Sequence, residues 1–386
     1  MLGTRNDQLS DLLGTSIAAL DIPDHLAQLA VRRYQDVGEW LSERYWSNGG
    51  AGCDVYPQGS FRLGTVVSPV DPRGEYDVDL VCRRNISKDS TSQADLKADV
   101  GKGLVAFTMS GAEGDPGLNE RKRCWTLGYP HDRFHMDVLP AVPDEDGVAN
   151  AILLTDRELR NWQSSNPIDY AAWFHERMRR EFDEVRRVLA KDIDADIEQV
   201  PAWRVKTVLQ RAVQALKRHR DLHFAENRDE LPASILITTL AAQSYAGGGP
   251  LYEVLLGVLR KMPSFIEDID GVWWVANPVQ PKENFADGWR SHPRQASAFF
   301  RWLEAAEADF ASLGSEAGMD TVINRLAKSL GDQAARAAGG GFGSALSGAR
   351  DRGSLRSSAG TLLIGGAARA VPKHTFHGEP PRTPRP

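Results

Sequence analysis

Gln58-Gly59-Ser60-Phe61 and, after a spacer, Glu75-Tyr76-Asp77-Val78-Asp79-Leu80-Val81 form the stretch from which the rest of the chain is read. Strand side chains alternate between faces, so Asp77 and Asp79 project from one side while Val78 and Leu80 fill the other. Two carboxylates side by side repel unless a proton or a cation separates them. Their natural companion is a hard divalent ion with oxygen ligands, Mg²⁺ first and Mn²⁺ as a substitute. Upstream, Gly59 lets the backbone approach a ligand closely and Ser60 adds a hydroxyl, a pair suited to phosphate. A third carboxylate, Asp137, stands in Phe134-His135-Met136-Asp137-Val138-Leu139-Pro140, a second alternating apolar run that predicts a neighbouring strand. Singly, Gly-Ser is ordinary turn chemistry and Asp-x-Asp an ordinary solvated strand edge. Together they predict a phosphate-gripping turn beside three acids, Asp77, Asp79 and Asp137, that bracket two metal ions.

These residues resemble the catalytic signature of the polymerase-β-like nucleotidyltransferases. More narrowly, Gln58-Gly59-Ser60-Phe61, Leu216-Lys217-Arg218-His219-Arg220-Asp221, Asn277-Pro278-Val279 and Glu283-Asn284-Phe285-Ala286-Asp287 resemble the CD-NTase (cGAS/DncV-like) family, the cyclic-oligonucleotide synthases of bacterial CBASS anti-phage systems. The likeness runs from about Pro23 to Ala327. It implies an α+β fold with a nucleotidyltransferase lobe built on a mixed sheet, a long spine helix linking both lobes, and a second, mostly helical lobe. It also implies NTP substrates, ATP foremost, and a cyclic di- or trinucleotide carrying at least one adenine that acts on a downstream effector. By resemblance, Lys217 and Ser234 join Gln58, Gly59 and Ser60 in holding the donor triphosphate. A CBASS regulator or conjugating protein would engage the C-terminal tail, although the Pro386 ending departs from the small-residue end such conjugation calls for.

At 386 residues the chain can bury a full core and is expected to form two lobes. A net charge of −6 argues against general coating of nucleic acid but leaves room for a local basic pocket. Cys53, Cys82 and Cys124 share no metal-ligand spacing and form no disulfide framework, which predicts core thiols in a reducing cytoplasm. No apolar run is long enough to span a bilayer.

Along the chain, Leu26, Leu29, Ala30, Val37, Trp40 and Leu41 recur at helical spacing and predict one spine helix over residues 24–46. The nucleotidyltransferase lobe is assigned to residues 1–160. Within it, residues 120–143 read as two strands across a turn at Pro130-His131-Asp132. His131 and His135 are taken as surface or turn histidines, and Arg121, Lys122 and Arg123 as either a solvated strand end or an approach to a base or triphosphate. Residues 161–330 read as the helical lobe, with helices expected at 170–191, 203–223, 232–245, 251–262 and 294–313. Pro232 marks a helix start with Ser234 in its first turn, where free N–H groups favour phosphate. Asn277 and residues 283–289 are expected to cap the lobe interface. The Gly/Ser/Ala/Pro-rich residues 331–386 predict a flexible tail. Two rival functions stay open: linear nucleotidyl transfer to an RNA, oligonucleotide or small-molecule acceptor, and an inactive nucleotide-binding scaffold. The intact Asp77, Asp79 and Asp137 set argues against the scaffold.

Overall fold

The structure is a computed structural model that describes residues 5–46, 52–155, 161–192, 196–316, 318–358, 361–364 and 369–371. The chain opens with α1 (Arg5–Ala18) and α2 (Asp24–Glu39). Then follow β1 (Cys53–Pro57), α3 (Gly59–Leu63), β2 (Tyr76–Arg84), α4 (Gln93–Met109), β3 (Gly117–Glu120), β4 (Trp125–Tyr129), β5 (Phe134–Pro143), β6 (Ile152–Leu154) and β7 (Gln163–Ser165). The sheet runs β1-β2-β5-β4-β3, with β6 and β7 continuing from the far end of β5. Among these strands β2 and β5 are parallel and every other pairing is antiparallel, the mixed sheet expected. The inward residues Val78, Leu80, Met136 and Val138 are fully buried, which fixes the register and turns the intervening aspartates to the opposite face.

The spine element is α2, continued by a wider π-helical stretch over Trp40–Tyr45. Its Leu26, Ala27, Ala30, Val37 and Leu41 pack into the core beneath the sheet with Val100, Leu104 and Phe107 of α4.

The helical lobe holds α5 (Pro167–Asp192), α6 (Val208–His223), α7 (Ser234–Ser244) and α8 (Leu251–Lys261). Two hairpins follow, β8 (Glu267–Ile269) with β9 (Val272–Trp274) and β10 (Ala276–Asn277) with β11 (Gln280–Asn284). Then come α9 (Gly288–Ser291), α10 (Pro293–Ser315), α11 (Met319–Leu330) and α12 (Asp332–Asp351).

Three sequence expectations are corrected here. Residues 5–18 do not join the nucleotidyltransferase lobe: Leu9, Leu12, Leu13 and Ile17 of α1 enter the helical-lobe core, because that face finds its apolar partners there. β7 carries the sheet past the boundary set at residue 160. Residues 332–351, read as flexible, are helix α12, packed on α1 and α11 with Ala334, Ala335 and Ala338 buried. Small residues are what permit this approach: a methyl on Gly341 would stand 3.2 Å from Thr15 Cγ2, and one on Gly339 3.3 Å from Ile323 Cδ1. A composition that cannot bury a core by itself can still lie close against helices that supply one. The expected partner-engaging end of the tail, residues 372–386, lies outside the described residues.

The lobes are joined by α6. Thr207 caps it, with Gln210 completing a reciprocal capping box. From its buried face Gln210 Nε2 donates to Leu63 O (2.9 Å), Gln214 Nε2 to Val66 O (2.7 Å), Lys217 Nζ to Thr65 O (2.9 Å) and Arg218 Nη2 to Ser68 O (2.7 Å). Just before the helix, Lys206 Nζ donates to Gly64 O (2.8 Å). Helical periodicity by itself, with Val205, Val208, Leu209, Ala212 and Leu216 on the apolar face, leaves Lys206, Gln210, Gln214 and Lys217 to solvent or a cleft. They instead satisfy the main chain of residues 63–68, which has no ladder partner of its own.

Candidate active site

In the parallel pair, Asp79 of β2 lies opposite Asp137 of β5, and Asp77 lies opposite His135. The three carboxylates therefore share one face of two adjacent strands. The Gln58 N–H donates to the Asp79 carbonyl (2.9 Å), which seats the start of α3 directly over that residue. Gly59 adopts φ +61°, and a Cβ there would lie 2.5 Å from Asp79 Oδ2. Both the left-handed backbone and the close approach require glycine. Ser60, the next residue, lies in the first turn of α3.

The electrostatics are those of an anionic site awaiting positive charge. Burial pushes Asp79 up to about 7, with Asp77 and Asp137 adding repulsion and Arg123 and Lys217 opposing it. Asp77 is also raised, chiefly by desolvation, while His135 pulls the other way. Carboxylates that raise one another in this way are relieved by a bound divalent cation. Asp77, His135 and Asp137 each offer a ligand atom, all within 4.8 Å of one another. The donor set thus fits a metal.

Asp137 is held from β4, where Thr126 Oγ1 donates to its Oδ1 (2.5 Å). The Cys124 thiol shares that side of the sheet; burial and then the Asp137 charge push it up to about 12, so it is an un-ionised neighbour and no nucleophile. Cys53, Cys82 and Cys124 are all free and buried. A cavity of about 570 Å³ opens beside Asp137, lined by Glu75, Arg121, Lys122, Arg123 and His135 among others. The basic run 121–123 therefore faces the site and is more than a solvated strand end.

Lys217 is buried, and burial followed by the Arg220 charge holds it down to about 8, with Asp79 and Asp77 raising it from the other side. It stands within electrostatic reach of the carboxylates, its ammonium donating to Thr65 O. Ser234 begins α7 and accepts from Arg220 Nη1 (2.7 Å), a guanidinium that also donates to Pro232 O (3.1 Å). The structure thus gathers Gly59, Asp77, Asp79, Asp137 and Lys217, while Ser234 is tied to Arg220. Asn277 serves the fold: its Nδ2 donates to Glu283 Oε2 (2.7 Å) and its Oδ1 accepts from the Val279 N–H (3.0 Å).

Sequence reasoning missed His135 as a site residue. Its signal was positional, two residues before Asp137 and so on the same strand face. Thr126 and Cys124 gave no signal until β4 was registered against β5.

Residues 53–140 match the family model described as "Cyclic GMP-AMP synthase DncV-like, nucleotidyltransferase domain". The chain is 29% identical over 328 residues to a c-di-GMP synthase of Roseivirga ehrenbergii, covering 83% of this chain and 84% of that protein. It is 26% identical over 321 residues to the cyclic dinucleotide synthase CdnG of Bradyrhizobium diazoefficiens, covering 77% and 74%. The fold is shared with the structure of that CD-NTase in complex with GTP: TM-score 0.69, 24% identity, 87% of this chain and 99% of the other. Among the described residues no helix is long and apolar enough to cross a membrane.

Proposed function

From the premise that this chain carries a DncV-like nucleotidyltransferase domain over residues 53–140, we propose that it joins NTPs into a cyclic dinucleotide with release of pyrophosphate. The observation that carries this reading is Asp79 opposite Asp137, with Asp77 on the same face and Gly59 pressed against Asp79. Both curated relatives are named as cyclic dinucleotide synthases, one of them for c-di-GMP. That moves the proposed substrate toward GTP, beside or in place of the ATP that the sequence suggested.

In this reading Asp77, Asp79 and Asp137 are the carboxylates that would hold two divalent ions, Mg²⁺ or Mn²⁺, with Asp137 serving the acceptor side. When bound, such a pair neutralises charge on the pyrophosphate and makes the hydroxyl easier to deprotonate. Gly59 and Ser60 would bring main-chain N–H groups and a hydroxyl to the donor triphosphate, Gln58, whose own N–H is taken by Asp79 O, would bring its side-chain amide, and Lys217 and Ser234 would approach from the helical lobe. Thr126, by donating to Oδ1, fixes the orientation of the Asp137 carboxylate. Arg121 and Arg123 complement the phosphates of the nucleotide lodged in the adjoining cavity. Service in anti-phage defence, with a regulator acting on the chain and an effector reading its product, belongs to the same proposal.

The test is incubation of the full chain with all four NTPs and Mg²⁺ or Mn²⁺, with phosphatase-resistant products resolved by mass spectrometry beside an Asp77→Ala/Asp79→Ala double variant. A resistant cyclic product lost in the variant supports the proposal and names the bases. Linear chains alone would remove the cyclisation step.

A further inference from the structure

His135 is the one nitrogen donor in the cluster of Asp77, His135 and Asp137 ligand atoms. Three independent features aim it there. It is two residues from Asp137 on β5, hence on the same face, and it lies opposite Asp77 across the parallel pairing. Its Nδ1 stands 3.2 Å from Glu75 Oε2 and its Nε2 3.5 Å from Asp77 Oδ1. Glu75 thus faces Nδ1 and leaves Nε2 turned toward Asp77, the nitrogen that an ion seated between the two side chains would meet. A carboxylate behind a histidine whose other nitrogen faces the ion is also the usual supporting arrangement of metal-bound imidazoles, fixing both tautomer and ring orientation.

We propose that His135, oriented by Glu75, is a metal ligand beside Asp77 and Asp137, and that it makes this site prefer Mn²⁺ to Mg²⁺. Mg²⁺ keeps an oxygen shell and dehydrates reluctantly, whereas Mn²⁺, equally at home among carboxylates and the weakest nitrogen binder of the first-row transition ions, still takes an imidazole more readily than Mg²⁺. Substitution of one nitrogen ligand for oxygen therefore biases the site without altering the three carboxylates. This inference rests on the nucleotidyltransferase reading of the same cluster, but its decisive readout is independent of turnover.

The test is electron spin-echo envelope modulation on the full chain loaded with Mn²⁺ alone, which detects ¹⁴N bonded to the ion. The expected result is nitrogen modulation in the native chain and its loss in His135→Gln, with Mn²⁺ binding weakened about tenfold or more. Glu75→Gln should keep the modulation and weaken binding by roughly tenfold, the effect typical of losing an outer support. The absence of nitrogen modulation in the native chain, or its persistence in His135→Gln, overturns the assignment. Product synthesis without nitrogen modulation sinks the ligand role and leaves nucleotidyl transfer standing. Nitrogen modulation lost in His135→Gln without product synthesis supports the ligand role and counts against nucleotidyl transfer. Thermal melting of His135→Gln within a few degrees of the native chain shows that the readout concerns the ligand and not the fold.

Discussion

Replacing Gly59 by alanine perturbs the site at its tightest contact. The new Cβ would stand 2.5 Å from Asp79 Oδ2, so the carboxylate or the α3 turn must retreat by about 1 Å to reach ordinary van der Waals distance. The backbone at φ +61° adds a cost of about 1–2 kcal/mol for any residue with a Cβ. In the folded protein that corresponds to a melting point lower by only a few degrees. For a reaction that depends on near-attack geometry, displacement by about 1 Å of a carboxylate proposed to hold the metal is expected to cost roughly a hundredfold in rate. Gly59→Ala should therefore lose about two orders of magnitude in kcat while keeping a cooperative thermal transition. Steady-state pyrophosphate release and differential scanning calorimetry on the same preparation measure both. Turnover within threefold of the native chain would refute the reasoning, because it would mean that Asp79 need not stay where Gly59 lets it sit.

The raised pKa of Asp79 carries a sign. A carboxylate that holds its proton more tightly when folded stabilises the fold below its unfolded pKa, and this contribution disappears as pH rises toward about 7. The metal-free chain should therefore lose melting temperature between about pH 4 and pH 7 through this group, and millimolar Mn²⁺ or Mg²⁺ should restore it at pH 7. Asp79→Asn should flatten that part of the pH profile and raise the metal-free melting point at pH 7 while abolishing turnover; a lower melting point there would contradict the electrostatic account. Lys217→Met, which removes the buried ammonium from Thr65 and from the carboxylates, should raise KM for NTP by about 10–100-fold, the scale of one charge-assisted hydrogen bond; an unchanged KM would remove Lys217 from the triphosphate site. Truncation after Gly331 uncovers the α1 and α11 surfaces that bury Ala334, Ala335 and Ala338, so the melting point should fall by several degrees; a full-height transition at the native temperature would show α12 to be dispensable.

Elements with strong local periodicity were legible from sequence. The alternation around Asp77 and Asp79 fixed a strand, and its repeat around Asp137 fixed a neighbour, because buried Val78, Leu80, Met136 and Val138 leave the acids one face only. Gly59 was legible as a close-approach glycine, though its partner, Asp79 itself, was not. What stayed hidden depended on contacts between distant segments. Gln210, Gln214 and Lys217 look like a solvated stripe until the carbonyls of residues 63–68 are brought against them. α12 looks like a linker until α1 and α11 supply the apolar partners that its alanines lack. His135 looks like a surface imidazole until β2 places Asp77 opposite it.

The row of α6 donors has a bearing on how this chain can vary. Its hydrogen bonds read main-chain oxygens of Leu63, Thr65, Val66 and Ser68, and a carbonyl is the same whichever side chain accompanies it. Leu63, Thr65 and Val66 are thus free to drift in sequence as far as these hydrogen bonds are concerned, whereas Gly64, at φ +68° and pressed against Gln210 Nε2, must stay glycine, and Ser68 also accepts from Arg218 through its hydroxyl (3.0 Å). A chimera that exchanged helical lobes between two such chains would succeed or fail on positions 210, 214, 217 and 218 together with the glycine at 64 and the hydroxyl at 68, however poorly the rest of the facing loop agreed.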